Sequence, residues 1–170
     1  VQAPEPGLHP LPQVGDQAAP LQVVLACLPT TPACIDVAKR LVALQNAQQD
    51  TLRLVWLPLA ASDEDRPLVD VLLAARRQVK LWPLLENLDS SAPWTAPLVQ
   101  EAVLASGGDR ARLDKDLADP ELHMQARSYQ TMALGLLIGQ GGALVAGKAV
   151  TLAEAATAAE LAVADTQSRL

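Results

Sequence analysis

Two short runs dominated by Leu and Val, "LQVVLACL" (21–28) and "TLRLVWLPLA" (51–60), flank a single helix-like stretch. Their unbroken apolar character suits strands covered on both faces. Between them, Thr31-Pro32 reads as a helix start, with Thr as N-cap and Pro at the first helical position. Ile35, Ala38, Leu41, Val42 and Leu44 supply the buried stripe of that helix. A strand, one helix and a second strand ended by Pro58 make a β-α-β unit, with parallel strands and a right-handed crossover.

The middle of the chain reads as helical. "RPLVDVLLAARRQ" (66–78), "KLWPLLENL" (80–88) and "APLVQEAVLAS" (96–106) carry helical periodicity, and Gly107-Gly108 stops the last of them. "DRARLDKDL" (109–117) is a short helix, and Asp119-Pro120 opens a longer one that runs to about Leu134 and closes at Gly135. Strand character then returns. "GALVA" (142–146), a Gly147-Lys148 turn and "AVT" (149–151) predict a hairpin. Thr151 and Glu154 form a capping box ahead of a final helix to about Thr166. The resulting fold class is α/β: a thioredoxin fold, with a central mixed sheet flanked by helices and a helical insertion.

Half of the 170 residues are apolar, enough for one domain with a sizeable core. With no Phe, that core must be aliphatic. A net charge of −6 and the absence of a basic run argue against nucleic-acid binding. His9 and His123, with two distant cysteines, lack zinc-type spacing, so no metal is expected. No apolar stretch is long enough to span a membrane. The Pro-rich opening "VQAPEPGLHPLPQVGDQAAP" lacks periodicity. It reads as an extended tether over 1–18, of the kind that joins a domain to a signal peptide or membrane anchor. The single domain is then 19–170, with the thioredoxin part at 19–62 and 135–168 and the helical insertion at 63–134.

The order and spacing of these pieces resemble the DsbA-like disulfide oxidoreductases over residues 15–165. The family pattern A-P, hydrophobic strand, E-F-x-D-Y-x-C-P-x-C runs without a gap onto "APLQVVLACLPTTPAC", placing the second cysteine on Cys34 and the proline on Pro32. "LRLVWLPL" is similar to the family's second strand and its proline, and "KLWPLLENL" to its aromatic-containing helix. "RLDKDLADPELHMQARSYQTMALGL" is similar to its long-helix segment, and "GQGGALVAGKAV" to its Gly-Thr-Pro-Thr-Phe hairpin.

The departures gather where the resemblance would put the chemistry. Its nucleophilic cysteine position is Thr31, its cis-proline position is Gly141, and the acidic residue of its first strand is Leu25. Disulfide exchange requires a thiolate as attacking group, and a helix N-terminus stabilises one. A threonine hydroxyl stays protonated at pH 7 and forms no mixed disulfide. A cis bond belongs almost solely to proline, so the bond into Gly141 is expected to be trans. Gly139, Gly141 and Gly142 around Gln140 fit a flexible or closely packed loop.

Cys34 carries two readings. In the first turn of a helix it is a candidate reactive thiol; facing inward, it is a small buried hydrophobe. Cys27, within the strand run, reads as core. A strand end and a helix start joined by a short link are expected just to miss disulfide distance, so two free thiols are predicted. His123 reads as solvent-facing or capping, since no Ser, Cys or Asp can be placed beside it. Asp16, Asp36 and Asp65 read as turn or helix-surface charges, and Trp56, Trp82 and Trp94 as core or junction anchors. Leu136, Leu137 and Ile138 either form an apolar patch beside the groove or plug the space under the hairpin.

The expected function is a protein- or peptide-binding module of the bacterial cell envelope, without dithiol oxidoreductase activity and without a cofactor. Its groove would be formed by Pro32, Ala33, Leu136, Leu137, Ile138, Gln140 and Gly141. The enzymatic alternatives are monothiol exchange through Cys34 and a glutathione-dependent transferase or isomerase using Thr31. The resemblance and the tether imply a periplasmic or otherwise extracytoplasmic location, with or without a membrane anchor.

Overall fold

The two Leu/Val runs form neighbouring parallel strands at the centre of a five-stranded mixed sheet. The computed structural model describes residues 11–136, 138–139 and 141–169. In chain order the elements are β1 (Gln13–Val14), β2 (Leu21–Cys27), α1 (Pro32–Ala47), β3 (Leu52–Pro58), α2 (Arg66–Arg77), α3 (Leu81–Asn87), α4 (Ala96–Ala105), α5 (Arg110–Leu117), α6 (Pro120–Gly135), β4 (Gly142–Val145), β5 (Lys148–Val150) and α7 (Ala155–Ser168). Strand order is β1-β3-β2-β4-β5, with β2 parallel to β3 and every other pairing antiparallel. None of the described helices is long and apolar enough to cross a membrane.

Alternation along the central strands divides the core. Leu21, Val23, Leu25 and Cys27 of β2, with Leu52, Leu54 and Trp56 of β3, pack with α1 residues such as Ile35 and Leu41 and with Ala159 and Val163 of α7. The intervening residues Val24, Ala26, Val55 and Leu57 share a second core with Leu73 and Ala74 of α2 and Tyr129 and Ala133 of α6. The insertion helices extend both cores, Leu85 and Val103 joining the first and Leu113 the second. Two-sided burial is why the strands read as continuous apolar runs. Trp56 and Trp94 are fully buried and Trp82 is half-buried, in line with anchoring roles.

Three local readings need correction. Gln13–Val14, inside the segment read as tether, is a strand paired antiparallel with β3. Its two residues are too few to give a periodic signal. The hairpin turns at Ala146-Gly147, not Gly147-Lys148: φ is +51° and +81°, and Lys148 already pairs with Val145. Both central residues are left-handed, as a two-residue hairpin turn of the right twist demands. Thr31 occupies the N-cap with extended backbone, but its side chain does not cap the helix.

A Val stands where a glycine is usual. Lys80 N–H donates to Ala75 O at 2.8 Å and Val79 N–H to Arg76 O at 2.9 Å, closing α2 in a Schellman motif. Val79 takes the left-handed position, φ +60°, and is half-exposed at 52%. The capping box before α7 forms as read: Glu154 N–H donates to Thr151 Oγ1 and Thr151 N–H to Glu154 Oε1, each at 3.3 Å.

Candidate functional site

The turn after β2 sets the geometry. Leu28 O accepts from both Thr31 N–H, at 3.0 Å, and Thr31 Oγ1, at 2.7 Å. The hydroxyl therefore donates backwards into the turn instead of accepting from the first helical amides. Pro32 starts α1 immediately afterwards, and the helix folds back over the end of the strand from which it came. Pro32 and Ala33 are exposed, whereas Cys34, in the first turn, points into the core.

That reversal overturns the expectation of two free thiols. Cys27 and Cys34 are joined by a disulfide, with their Cα atoms 5.5 Å apart. The tight turn at Leu28–Thr31 brings the helix start closer to the strand end than the length of the link suggests. Cys27 is 1% exposed and Cys34 0%. Neither cysteine is free, and the bridge lies in the first core. A thiolate must reach a sulfur to exchange with it, so a bond this deeply covered is shielded from a protein-sized substrate.

The other departures surround the bridge. Leu25, two residues before Cys27 on the same face of β2, is fully buried and registers with Trp56 and Ala143. An aliphatic floor thus stands where the resemblance puts a proton-transferring acid. Gly142 pairs with Ala26, which brings the loop ahead of β4 to the same end of the sheet. Gly141 has φ +102° and closes that loop by donating to Ile138 O at 3.1 Å. Among the described residues no peptide bond is cis. The bond into Gly141 starts at Gln140, which, like Leu137, His9 and most of the tether, lies outside those residues.

The structure therefore brings Thr31, Pro32, Ala33 and Gly141 to one sheet end, while the Ile138 side chain turns into the second core. That side chain is 3% exposed and belongs to the second core, so it is a plug and not a patch. Leu136 is half-buried against the same core. The apolar surface nearby comes instead from α6, where Leu134 is 59% exposed and Met132 39%. Met132 and Leu136 border a groove of about 700 Å³ on the sheet face, with Leu11, Val24, Leu57 and Leu144 also on its walls.

Two polar arrangements escaped sequence reading, because each partner lies on a different helix. His123 is not simply solvent-facing: its Nδ1 is 2.9 Å from Asp70 Oδ2, joining α6 to α2. Burial pushes the Asp70 carboxyl upward, against the pull of His123, Arg127 and Arg66. Arg77 Nη1 donates to Asp116 Oδ1 at 3.1 Å and Asp119 Oδ2 at 2.8 Å, tying α2 to α5 and to the start of α6. Asp16, Asp36 and Asp65 serve as read, accepting from Ala18 N–H, Ser90 Oγ and Ala61 N–H.

A thioredoxin-like oxidoreductase from Silicibacter pomeroyi superposes with a TM-score of 0.76 at 20% identity, covering 98% of this chain and 99% of the other. The fold is that of the DsbA-like proteins. The thiol-disulfide exchange protein alpha-DsbA2 from Wolbachia pipientis gives a TM-score of 0.76 at 11% identity, over 91% and 86% of the two chains. A periplasmic thioredoxin-like protein from Salmonella enterica serovar Typhimurium gives 0.69 at 16% identity, over 91% of each. No family model matches the sequence, and no curated protein matches it either. The DsbA-like frame is thus retained at a sequence distance where the fold is shared and the chemistry must be argued from the site.

Proposed function

We propose that this chain is a DsbA-like thioredoxin-fold protein of the cell envelope that does not exchange dithiols and instead holds a protein or peptide. One observation carries the reading: the sulfur at the start of α1 is bonded to Cys27 in the core, while the half-buried position three residues earlier, at the helix N-cap, holds Thr31. No thiolate is offered at the helix N-terminus, where the positive end of the dipole would stabilise it. The apolar groove beside α6, bordered by flexible Met132, supports a binding role. An extracytoplasmic location fits a bonded cysteine pair and the periplasmic neighbour.

Monothiol exchange through Cys34 needs a free thiol, and the bridge consumes it. Use of Thr31 to support a glutathione thiolate needs its hydroxyl proton, which is given to Leu28 O. Exchange through the Cys27–Cys34 bond itself has one observation in favour, the presence of a disulfide at the start of α1.

The deciding experiment is reduction of insulin by dithiothreitol with and without the purified protein, run beside native alkylation and mass measurement. The expected result is no acceleration and no alkylated cysteine. Acceleration that disappears in Cys34→Ala would overturn the proposal in favour of exchange through the bridge.

A further inference from the structure

Between α2 and α6, away from the disulfide, lies a cavity of about 110 Å³. Its polar walls are Arg66, Asp70, His123, Arg127 and Gln130, and its apolar walls are Ala60, Val69 and Ala126. Arg127 has no ion pair within 4 Å among the described residues, and Arg66 has one, from Nε to the exposed Asp63 at 3.3 Å. Their terminal N–H groups are left for something else. Guanidinium groups beside a small partly apolar cavity are suited to a planar anion.

We propose that this cavity binds a small monocarboxylate, and that binding takes up one proton at His123. The lining sets the class of ligand. Two planar guanidinium groups, Arg66 and Arg127, offer forked donors, and Ala60, Val69 and Ala126 offer apolar cover. Asp119, near His123, is engaged by Arg77 at 2.8 Å. A planar carboxylate with a short alkyl chain matches these walls better than a tetrahedral phosphate.

The hydrogen bond to Asp70 sets the proton linkage. A carboxylate accepts only, so the ring proton sits on Nδ1, and Nε2 is a lone pair while the ring is neutral. A second carboxylate needs a donor there. One proton from solvent adds to Nε2, the ring becomes imidazolium, and the Nε2–H donates to the incoming oxygen. Ala60, Val69 and Ala126 then cover the alkyl portion.

The test follows His123 ring signals by NMR during titration of the full chain with butyrate at pH 5.5 and pH 8, with sodium chloride at matched ionic strength as control. The chain has two histidines, so a His9→Gln variant assigns the signals. The expected result is a saturable shift of the His123 signal with butyrate and not with chloride, at least tenfold tighter at pH 5.5. Inorganic phosphate is expected to bind more weakly than butyrate. Arg127→Gln, at an exposed position, is expected to weaken butyrate at least fivefold while leaving the amide spectrum folded. No specific shift up to 100 mM butyrate, affinity independent of pH, or an unaffected Arg127→Gln would each overturn the site. Phosphate binding as tightly as butyrate would overturn the carboxylate assignment.

Discussion

Breaking the Cys27–Cys34 bond tests the structural reading at its centre. The two residues are seven apart in sequence, and closing a loop of that size restricts the unfolded chain by about 2.4 kcal/mol on the chain-entropy relation. The native state loses little else on reduction, because both residues stay buried and a thiol in a core behaves as a small apolar group. The reduced protein should therefore be less stable by about that amount. With a urea slope of roughly 2 kcal/mol/M, the unfolding midpoint falls by about 1.2 M. The thermal midpoint falls by roughly 5–10 °C for a chain of this size. The assay compares oxidised protein with protein reduced in denaturant and refolded under a non-thiol reductant. Reduction of the folded protein by dithiothreitol should also be slow, since it must await opening of the core. A strong disulfide oxidant behaves oppositely, with its reduced form the more stable. A reduced protein that melts higher, or a native bond reduced within seconds, would refute the assignment of this disulfide as structural.

Thr31→Cys should create one thiol that alkylates rapidly at pH 7, where the wild type shows none, because the position heads α1; an unreactive variant would refute the role given to the helix start. Gly141→Pro, which restores the residue implied by the resemblance, should destabilise the fold by more than ~1 kcal/mol in urea unfolding, because φ +102° is closed to proline. Val79→Gly should stabilise by about 1 kcal/mol by relieving a β-branched residue at the left-handed end of α2, and a lower midpoint would contradict this. Tyr129 is the chain's one tyrosine, and burial, opposed by Arg76, holds its phenol up at about 12. Absorbance at 295 nm should therefore rise near pH 12 in the folded protein and near pH 10 in denaturant. Between those values the folded state holds a proton that the unfolded state has lost, so stability falls as pH rises through that window. A native midpoint near 10 would refute it.

The frame was legible because it is written in local signals. Continuous Leu/Val runs marked β2 and β3, Thr31-Pro32 and Asp119-Pro120 marked helix starts, and Thr151 with Glu154 marked the last one. Each depends on residues within a few positions of one another, where spacing alone fixes geometry. The absence of sulfur at position 31 is likewise a property of the sequence, and no folding restores it.

What the sequence could not decide depends on how far the chain turns back on itself. Whether Cys27 meets Cys34 turns on a few ångströms set by two bonds to Leu28 O. Whether His123 meets Asp70 turns on the packing of α6 against α2, 53 residues apart in sequence. The fate of Ile138, core plug instead of surface patch, follows from which face of the sheet α6 covers. Residue identity thus determined which chemistry is missing, while tertiary packing decided which side chains meet, because distances between separate elements are fixed by burial of their shared surfaces and not by spacing along the chain.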